Sequence, residues 1–298
     1  MRYNYPIRLT ELTGLMNEGY VVNKESKKFM DLQIKGQSVL ITGAASGIGL
    51  ATAQAFAEEG CSLVLWDISP TVESVAREFA NRFDVSAIGT QVDVTKFDRV
   101  ESALHQAIES GLSIEHLVHC AAKGSSKFGF PFTNLHPSDW NRTLEINIMG
   151  MVNVAHAATP YFVQQNRGTF IFLASVAGQI GSQTDPPYSA SKAANINFAQ
   201  CMAKDLAKHG IRVNTICPGM VQTSLNRSVW QAWYDQTPEA ERLSYDDWAG
   251  NKVKSVVPLG RWQTPDDIAS MIVFLSSERA KQVTGQTINV DGGFVMHW

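Results

Sequence analysis

The stretch Val39-Leu40-Ile41-Thr42-Gly43-Ala44-Ala45-Ser46-Gly47-Ile48-Gly49-Leu50 decides the fold of this chain. Its apolar run at 39–41 predicts a buried strand, and residues 50–59 are compatible with a helix. Glycines at 43, 47 and 49 predict a tight turn that lets the backbone approach a phosphate and lets the helix pack closely on a sheet. Because a helix N-terminus presents unpaired N–H groups, an anion binds well there. A nucleotide phosphate site is therefore expected, the alternative being a glycine turn without a ligand.

Short apolar strands alternate with helical stretches over the rest of the chain. Continuous apolar strands of this kind are typical of a parallel sheet that helices cover on both faces. The pattern predicts a three-layer α/β/α doubly wound parallel sheet, the Rossmann fold, with about seven strands. Strands are predicted at 38–42, 61–67, 87–92, 115–121, 168–174, 211–217 and 286–290, and helices at 47–59, 71–82, 96–110, 138–165, 187–209 and 265–276.

Length and composition favour one large domain. The chain has 298 residues, of which 44% are hydrophobic, and no Pro/Gly/Ser-rich linker divides its middle. Residues 1–30 lack a clear periodicity and are predicted to be an N-terminal extension, with an oligomer contact as a possible role. Residues 31–298 are predicted to be a single Rossmann-type catalytic domain.

Charge and cysteine usage exclude several classes of partner. The net charge is −3 and there is no basic stripe, so nucleic acid is not expected to bind. No apolar run approaches the ~20 residues that a membrane span needs. The four cysteines are scattered without a Cys-x-x-Cys pair, which favours reduced thiols and a cytoplasmic protein. The expected partner is a small-molecule substrate.

Residues 219–264 interrupt the alternation of strands and helices. A segment of this length between a strand and a helix is usually functional in a compact domain. Because it follows the carboxyl end of a strand, it is predicted to be a substrate lid, in which Trp230 and Trp233 contact the substrate. The alternative is a surface excursion whose aromatic residues only pack.

Three polar residues suggest redox chemistry at the carboxyl edge of the sheet. Asp67 ends the second strand, where an acid accepts hydrogen bonds from the ribose 2′-hydroxyl of NAD and repels the 2′-phosphate of NADP. Tyr188 and Lys192 lie one helical turn apart, and a nearby ammonium is expected to lower the pKa of the tyrosine. A chance surface pair and a turn-capping aspartate are the structural alternatives.

Together these residues resemble the short-chain dehydrogenase/reductase family from about residue 31 to the C-terminus. The motifs that carry the resemblance are Thr42-Gly43-x-x-x-Gly47-x-Gly49, Ser175, and Tyr188-x-x-x-Lys192. The resemblance implies an NAD-dependent alcohol dehydrogenase or ketone reductase. Ser175 would orient the substrate oxygen, Tyr188 would act as the acid/base, Lys192 would bind the nicotinamide ribose, and Asn147 would hold a water in the proton relay.

The same resemblance assigns residues to the cofactor and the substrate. Cys120 and Ala122 depart from the asparagine and glycine that the family carries there, and no Arg or Lys stands where NADP-using relatives tend to carry one. The expected cofactor contacts are Gly43, Ser46, Gly47, Ile48, Gly49, Asp67, Asp93, Val94, Cys120, Ala121, Ala122, Tyr188, Lys192, Pro218, Gly219, Val221 and Thr223. The expected substrate contacts are Ser175, Gln179, Asp185, Tyr188, Trp230 and Trp233, and no metal site is expected.

The resemblance also implies a class of substrate and an oligomeric state. Polar residues between Ser175 and Tyr188 favour a polyol or sugar derivative, with a 3-oxoacyl thioester or a hydrophobic ketone as the alternative. A nucleotide-sensing regulator without catalysis is a less favoured third possibility, since such a protein need not keep Tyr188 and Lys192. The C-terminal stretch 284–293 matches a region that lies at subunit interfaces in relatives, so a homotetramer or homodimer is expected.

Overall fold

The computed structural model describes residues 30–182 and 184–296, and within them seven parallel strands form one sheet. The strand order is β3-β2-β1-β4-β5-β6-β7, so successive strands are added toward one edge of the sheet up to β3 and toward the other edge from β4 onward. In a doubly wound sheet that change of edge opens a crevice at the carboxyl ends of the strands. The strands are β1 (Ser38–Thr42), β2 (Ser62–Asp67), β3 (Ala87–Gln91), β4 (Ile114–His119), β5 (Gly168–Leu173), β6 (Ile211–Pro218) and β7 (Thr287–Val290).

Helices cover both faces of the sheet and form the outer layers. One apolar cluster joins the sheet to α3, α5 and α6, and a second joins it to α1, α2 and α9. The predicted Rossmann fold is thereby confirmed. The helices are α1 (Gly47–Glu58), α2 (Val72–Phe83), α3 (Phe97–Glu109), α4 (Asn141–Leu144), α5 (Gly150–Gln165), α6 (Pro186–Leu206), α7 (Ser224–Gln236), α8 (Tyr245–Val256) and α9 (Pro265–Ser276).

Strand β1 shows why the sequence folds this way. All five of its residues are buried, and its side chains alternate between the two faces of the sheet. Leu40 belongs to the cluster under α3, α5 and α6, whereas Val39 and Ile41 belong to the cluster under α1, α2 and α9. Burial on both faces accounts for the uninterrupted apolar run at 39–41, whereas the buried Ser38 N–H and Thr42 hydroxyl at the strand ends have the partners Glu115 and His119.

One predicted helix differs from the structure. The stretch 138–165 was expected to be continuous, but a π-helical turn, Glu145–Met149, separates α4 from α5. A π-helical turn accommodates one extra residue per turn and is frequent at functional sites. Here the turn contains Asn147, whose side chain is buried.

The described residues from Leu32 onward form one compact unit. Residues 219–264 contain α7 and α8, which follow the carboxyl end of β6. The predicted N-terminal extension, apart from Met30, lies outside the described residues, so its division from the catalytic domain stays a prediction. Among the helices that the structure describes, none is long and apolar enough to cross a bilayer.

Candidate active site

The glycine turn between β1 and α1 has the geometry that its sequence predicts. Gly43 and Gly47 have φ values of +68° and +54°, which favour glycine. A Cβ atom on Gly49 would lie 2.0 Å from the carbonyl oxygen of Gly43, closer than any real contact. The first turn of α1 therefore lies directly against the end of β1, and only glycine at position 49 permits this approach.

We expect Gly49→Ala to disrupt this turn. The nearest atom to the new methyl group belongs to the backbone, so the turn must move, at a cost of about 1–3 kcal/mol in the free energy of unfolding. NAD binding should weaken at least tenfold in calorimetric titration. Gly250→Ala is the matched control, because a Cβ there meets no atom within 4 Å. Unchanged NAD affinity in Gly49→Ala would contradict a phosphate role for the turn.

A cavity of about 670 Å³ opens at the carboxyl edge of the sheet. Every residue predicted above to contact the cofactor lines this cavity. At one end lies Asp67, whose Oδ2 accepts a hydrogen bond from the Ala45 N–H at 2.9 Å and whose Oδ1 accepts one from the Ser69 N–H at 2.9 Å. The carboxylate is thereby held at the tip of β2 beside the glycine turn. Ionised carboxylates have further lone pairs, so Asp67 can still accept hydrogen bonds from a ligand.

Ser175, Tyr188 and Lys192 meet at the other end of the cavity. Asp185 caps α6, and Pro186 and Pro187 occupy its first turn, which places Tyr188 and Lys192 on one side of that helix. The Lys192 Nζ donates to the Leu173 carbonyl oxygen at 2.6 Å and lies 5.5 Å from the centre of the Tyr188 ring. The structure thus brings together Ser175, which follows β5, and two residues of α6, although the sequence separates the three by up to 17 positions.

Burial sets the titration of this group. Burial raises the pKa of Tyr188 above the ordinary tyrosine value. A hydrogen bond from Ser175 lowers this pKa, but by less than burial raises it. Burial also lowers the pKa of Lys192 to about 8. The predicted lowering of the Tyr188 pKa by Lys192 is therefore wrong for the protein alone, because desolvation of the phenolate outweighs the nearby ammonium. The proton most readily lost near neutrality belongs to Lys192.

Asn147 lies behind these residues and does not line the cavity. Its Nδ2 donates to the Ser191 Oγ at 2.9 Å and to the Lys123 carbonyl oxygen at 3.0 Å, and its Oδ1 accepts from the Lys123 N–H at 2.8 Å. The side chain thus joins the π-helical turn to α6 and to the segment after β4. Asn147 thus hydrogen-bonds to the residue that precedes Lys192, and its predicted role of holding a water in the proton relay stays a prediction.

The segment after β4 contains Cys120, which stands where the family carries an asparagine. The Thr42 hydroxyl lies 2.9 Å from the His119 Nδ1 and accepts a hydrogen bond from the Ala121 N–H at 3.3 Å, so Thr42 and His119 link β1 to β4. Burial lowers the pKa of His119 to about 3 and raises that of Cys120 to about 12. Both side chains are therefore neutral at physiological pH.

Two predicted substrate residues have structural roles. Gln179 does not line the cavity, because its Nε2 donates to the Asn289 Oδ1 at 2.7 Å beside β7. Asp185 does line the cavity, but its carboxylate accepts hydrogen bonds from the N–H groups of Tyr188 and Ser125. Asp185 therefore fixes the start of α6 and the segment after β4 in one arrangement.

Trp230 and Trp233, which the sequence predicts to contact the substrate, do not line the cavity. Their contact with the substrate stays a prediction. The Trp230 indole donates to the Leu243 carbonyl oxygen at 3.1 Å, and its ring lies 5.8 Å from that of Tyr245. The Trp233 ring lies 6.2 Å from that of Trp248. These aromatic residues join α7 to α8, and the two tryptophans of α7 lie further along that helix than Leu225, Asn226 and Val229, which line the cavity.

Truncating Trp233 should therefore affect the substrate only indirectly. Loss of its contact with Trp248 removes about 0.5–1.5 kcal/mol, so we expect Trp233→Ala to raise the KM for the alcohol by up to about tenfold. NAD affinity should stay unchanged, and Trp233→Phe should behave like the parent. Steady-state kinetics with calorimetric NAD titration measures both quantities. A complete loss of turnover in a folded Trp233→Ala protein would instead argue for direct contact with the substrate.

Several residues of the cavity were not predicted. Leu225 and Val229 lie one turn apart on α7, a spacing that could have indicated the inward face of that helix. The others have no comparable signal, because the rotation of α8 and the course of the loops depend on tertiary packing. The cavity residues missed on the substrate side include Ile180, Ser182, Leu225, Asn226, Val229, Lys252 and Phe294.

Comparison with known proteins places these features in a family. Residues 43–295 match the family model adh_short_C2, described as enoyl-(acyl carrier protein) reductase. The 3-oxoacyl-[acyl-carrier-protein] reductase FabG of Thermotoga maritima is 32% identical over 89% of this chain and 100% of its own. The 2-(S)-hydroxypropyl-CoM dehydrogenase 3 of Xanthobacter autotrophicus is 34% identical over 89% of this chain and 98% of its own.

A solved structure gives the same result. L-sorbose reductase from Gluconobacter frateurii, complexed with NADPH and L-sorbose, superposes with a TM-score of 0.80 at 28% identity, over 90% of this chain and 100% of its own. The fold and the motifs define an oxidoreductase of alcohols and ketones that binds a nicotinamide cofactor. The chain belongs to the short-chain dehydrogenase/reductase family.

Proposed function

We propose that the protein is an NAD-dependent oxidoreductase that interconverts a secondary alcohol and a ketone. The observation that carries the proposal is the placement of Ser175, Tyr188 and Lys192 in the same cavity as the glycine turn and Asp67. This arrangement supports a reacting carbon between the tyrosine hydroxyl and a nicotinamide. A nucleotide-sensing regulator would have no need of the buried tyrosine and lysine.

The bound cofactor would accept or donate the hydride. The residues of the chain would transfer the proton and hydrogen-bond to the substrate oxygen. In the proposed mechanism Tyr188 takes the alcohol proton and Ser175 donates a hydrogen bond to the substrate oxygen as its charge develops. Lys192, whose pKa of about 8 lets it lose a proton near neutrality, holds the cofactor ribose and shares the proton with Tyr188. Asn147 keeps the Lys192 segment of α6 in place through Ser191.

The proposed choice of NAD rests on Asp67. Its carboxylate lies at the tip of β2, where it would accept hydrogen bonds from a ribose 2′-hydroxyl and repel a 2′-phosphate. Neither Ala45 nor Ile68 offers a positive charge to such a phosphate. The L-sorbose reductase structure contains NADPH. This chain is proposed to differ from that similar protein by using NAD.

We propose a polyol or sugar derivative as the substrate. Ser182, Thr184 and Asn226 give the substrate side of the cavity hydrogen-bonding groups, and a similar structure holds L-sorbose. A 3-oxoacyl thioester is the second candidate, because Leu225 and Val229 add an apolar side and the similar FabG is a 3-oxoacyl reductase. The predicted contact of Trp230 and Trp233 with the substrate does not support this choice, since neither residue lines the cavity.

A screen of NAD reduction tests the proposal. The panel should contain polyols, sugars, hydroxy acids, cyclic alcohols and 3-hydroxyacyl thioesters, each assayed by absorbance of the reduced cofactor. Turnover of polyols or sugars with NAD supports the proposed function, and turnover of thioesters alone supports the second candidate. Oxidation of no secondary alcohol would contradict both.

A homotetramer or homodimer and a cytoplasmic location complete the proposal. Self-association is supported by the match of residues 284–293 to the family, and light scattering after gel filtration measures it. The location is supported by four free cysteines, of which Cys61 and Cys217 are buried. An extension comprising residues 1–30 is proposed to contribute to assembly, and a chain beginning at residue 31 tests it.

A further inference from the structure

The lid contributes a cation to the substrate side of the cavity. Lys252 lies on the third turn of α8 and lines the cavity together with Leu225, Asn226 and Val229 of α7. Its Nζ lies 5.0 Å from the centre of the Trp248 ring, one helical turn before it, which holds the long side chain in place. Trp248 in turn packs on Trp233 of α7.

The described part of the chain holds no acidic side chain within 4 Å of the Lys252 ammonium. Of the acids that line the cavity, Asp67 and Asp93 belong to the ends of β2 and β3, where the nucleotide is expected. Asp185 is occupied by the N–H groups of Tyr188 and Ser125. Lys252 is half-buried, and burial lowers its pKa. A partly desolvated ammonium without a carboxylate partner is costly unless a ligand supplies the negative charge.

The other cations that line the cavity are placed differently. Lys192 donates to the Leu173 carbonyl oxygen, and Arg142 donates to Glu145 at 2.8 Å. Lys123 is exposed, so solvent screens its charge. Lys252 is therefore the cation on the substrate side that is best placed to attract an anion.

A second donor on the lid accompanies Lys252. The Asn226 Oδ1 accepts a hydrogen bond from the Tyr245 hydroxyl at 3.1 Å, which directs its amide N–H groups to another acceptor. Asn226 lines the same cavity as Lys252. An ammonium and an amide N–H group together suit a carboxylate, a sulfonate or a phosphate better than they suit a neutral hydroxyl.

We propose that the substrate carries an anionic group and that Lys252, with Asn226, binds this group on the lid side of the cavity. The inference rests on the proposed alcohol oxidoreductase function and narrows its substrate to a hydroxy acid, such as a sugar acid, or to a sulfonate or phosphate analogue. Lys252 lines the same cavity as Ser175 and Tyr188, so the anionic group can bind the lysine while the reacting carbon lies at Ser175 and Tyr188. The same contact selects charged substrates over neutral alcohols of equal size.

Matched substrates test the proposal. NAD reduction should be measured with 3-hydroxybutanoate, its methyl ester, 3-hydroxybutyl phosphate and 3-hydroxybutane-1-sulfonate, which share the reacting carbon. In the parent protein we expect kcat/KM to be at least tenfold higher for the preferred anion than for the neutral ester. Lys252→Met should remove that advantage and leave the ester within about threefold of the parent. Lys252→Arg should restore most of the advantage.

Lys254→Met is the matched control, because it removes the same charge two positions along α8 from an exposed site outside this cavity. Calorimetric titration of NAD and of the preferred anion into the NADH complex provides a readout that does not depend on turnover. Loss of anion binding in Lys252→Met with unchanged NAD affinity supports the proposal.

Three outcomes would overturn the proposal. One is equal use of the ester and all three anions by the parent, and another is an anion preference that survives in Lys252→Met. A third is weakened NAD binding in Lys252→Met without a change in substrate preference, which would place the lysine on the cofactor pyrophosphate. If no secondary alcohol is oxidised, the proposed function fails, and the binding titration still decides whether Lys252 binds an anion.

Discussion

Replacing Tyr188 with phenylalanine is expected to lower kcat by about 10²- to 10⁴-fold while NAD still binds. The substitution removes only the hydroxyl that hydrogen-bonds with Ser175 and leaves the ring beside Lys192 in the cavity. Proton transfer then has no partner at the substrate oxygen, whereas the glycine turn and Asp67 are untouched. Steady-state kinetics with a calorimetric NAD titration separates the two effects.

The pH dependence of the parent should report Tyr188 and Lys192 together. Alcohol oxidation needs the pair to accept one proton, so its rate should rise with pH. Because Lys192 has a pKa of about 8, we expect an apparent pKa at or below that value, although burial raises the pKa of Tyr188 alone. Lys192→Ala should move the profile upward, toward the tyrosine, and should weaken NAD binding. Ser175→Ala should lower turnover with a much smaller movement of the profile.

Two results would refute this mechanism. The first is a Tyr188→Phe protein that turns over at a near-normal rate, which would show that another group moves the proton. The second is an unchanged profile in Lys192→Ala, which would separate the lysine from the titration. In each case the variant must show the circular dichroism spectrum of the parent, so that a loss of activity is not a loss of fold.

The unmodified protein should use NAD in preference to NADP by about a hundredfold or more in kcat/KM. A carboxylate beside a 2′-phosphate costs several kcal/mol, and each 1.4 kcal/mol is a factor of ten. Asp67→Ser should narrow the preference at least tenfold, mostly by improving the use of NADP. Initial rates with both cofactors at one substrate concentration series measure the ratio.

Asp67→Asn is the control for the shape of the side chain, because asparagine has nearly the same size and shape as aspartate. The substitution removes the charge and keeps one side-chain oxygen that accepts from either the Ala45 or the Ser69 N–H, so it tests electrostatic repulsion with the loss of one of the two local hydrogen bonds. Equal use of NAD and NADP by the parent would contradict the role of Asp67. A preference that is unchanged in Asp67→Asn but lost in Asp67→Ser would assign the selectivity to loop geometry.

The sequence was sufficient for the sheet and for the cofactor side of the cavity. The centre of strand β1, residues 39–41, is apolar because it is buried on both faces, and Gly49 is glycine because the Gly43 carbonyl oxygen lies against it. Such residues respond to constraints within one strand, turn and helix, which a local pattern records. All predicted cofactor contacts accordingly line one cavity.

The substrate side was less predictable, because it depends on how separate elements pack. The sequence shows that α7 carries Trp230 and Trp233, but the rotation that turns them toward α8 follows from the position of Trp248 and Tyr245. Gln179 is drawn to Asn289, which lies 110 residues further along the chain. The π-helical turn at Asn147 has no sequence pattern that distinguishes it from an ordinary helix.

The aromatic contacts between α7 and α8 give the protein an internal optical probe. Four of its seven tryptophans, Trp230, Trp233, Trp248 and Trp262, lie in the 219–264 segment, and Trp66 lines the nucleotide end of the cavity. Indole emission responds to the polarity and motion of its surroundings, and a reduced nicotinamide absorbs the light that indoles emit. Quenching at Trp66 would therefore report cofactor entry, and a change in emission from the tryptophans of the 219–264 segment would test separately whether that segment moves. Stopped-flow fluorescence on single-tryptophan variants could then order these two events without any added label.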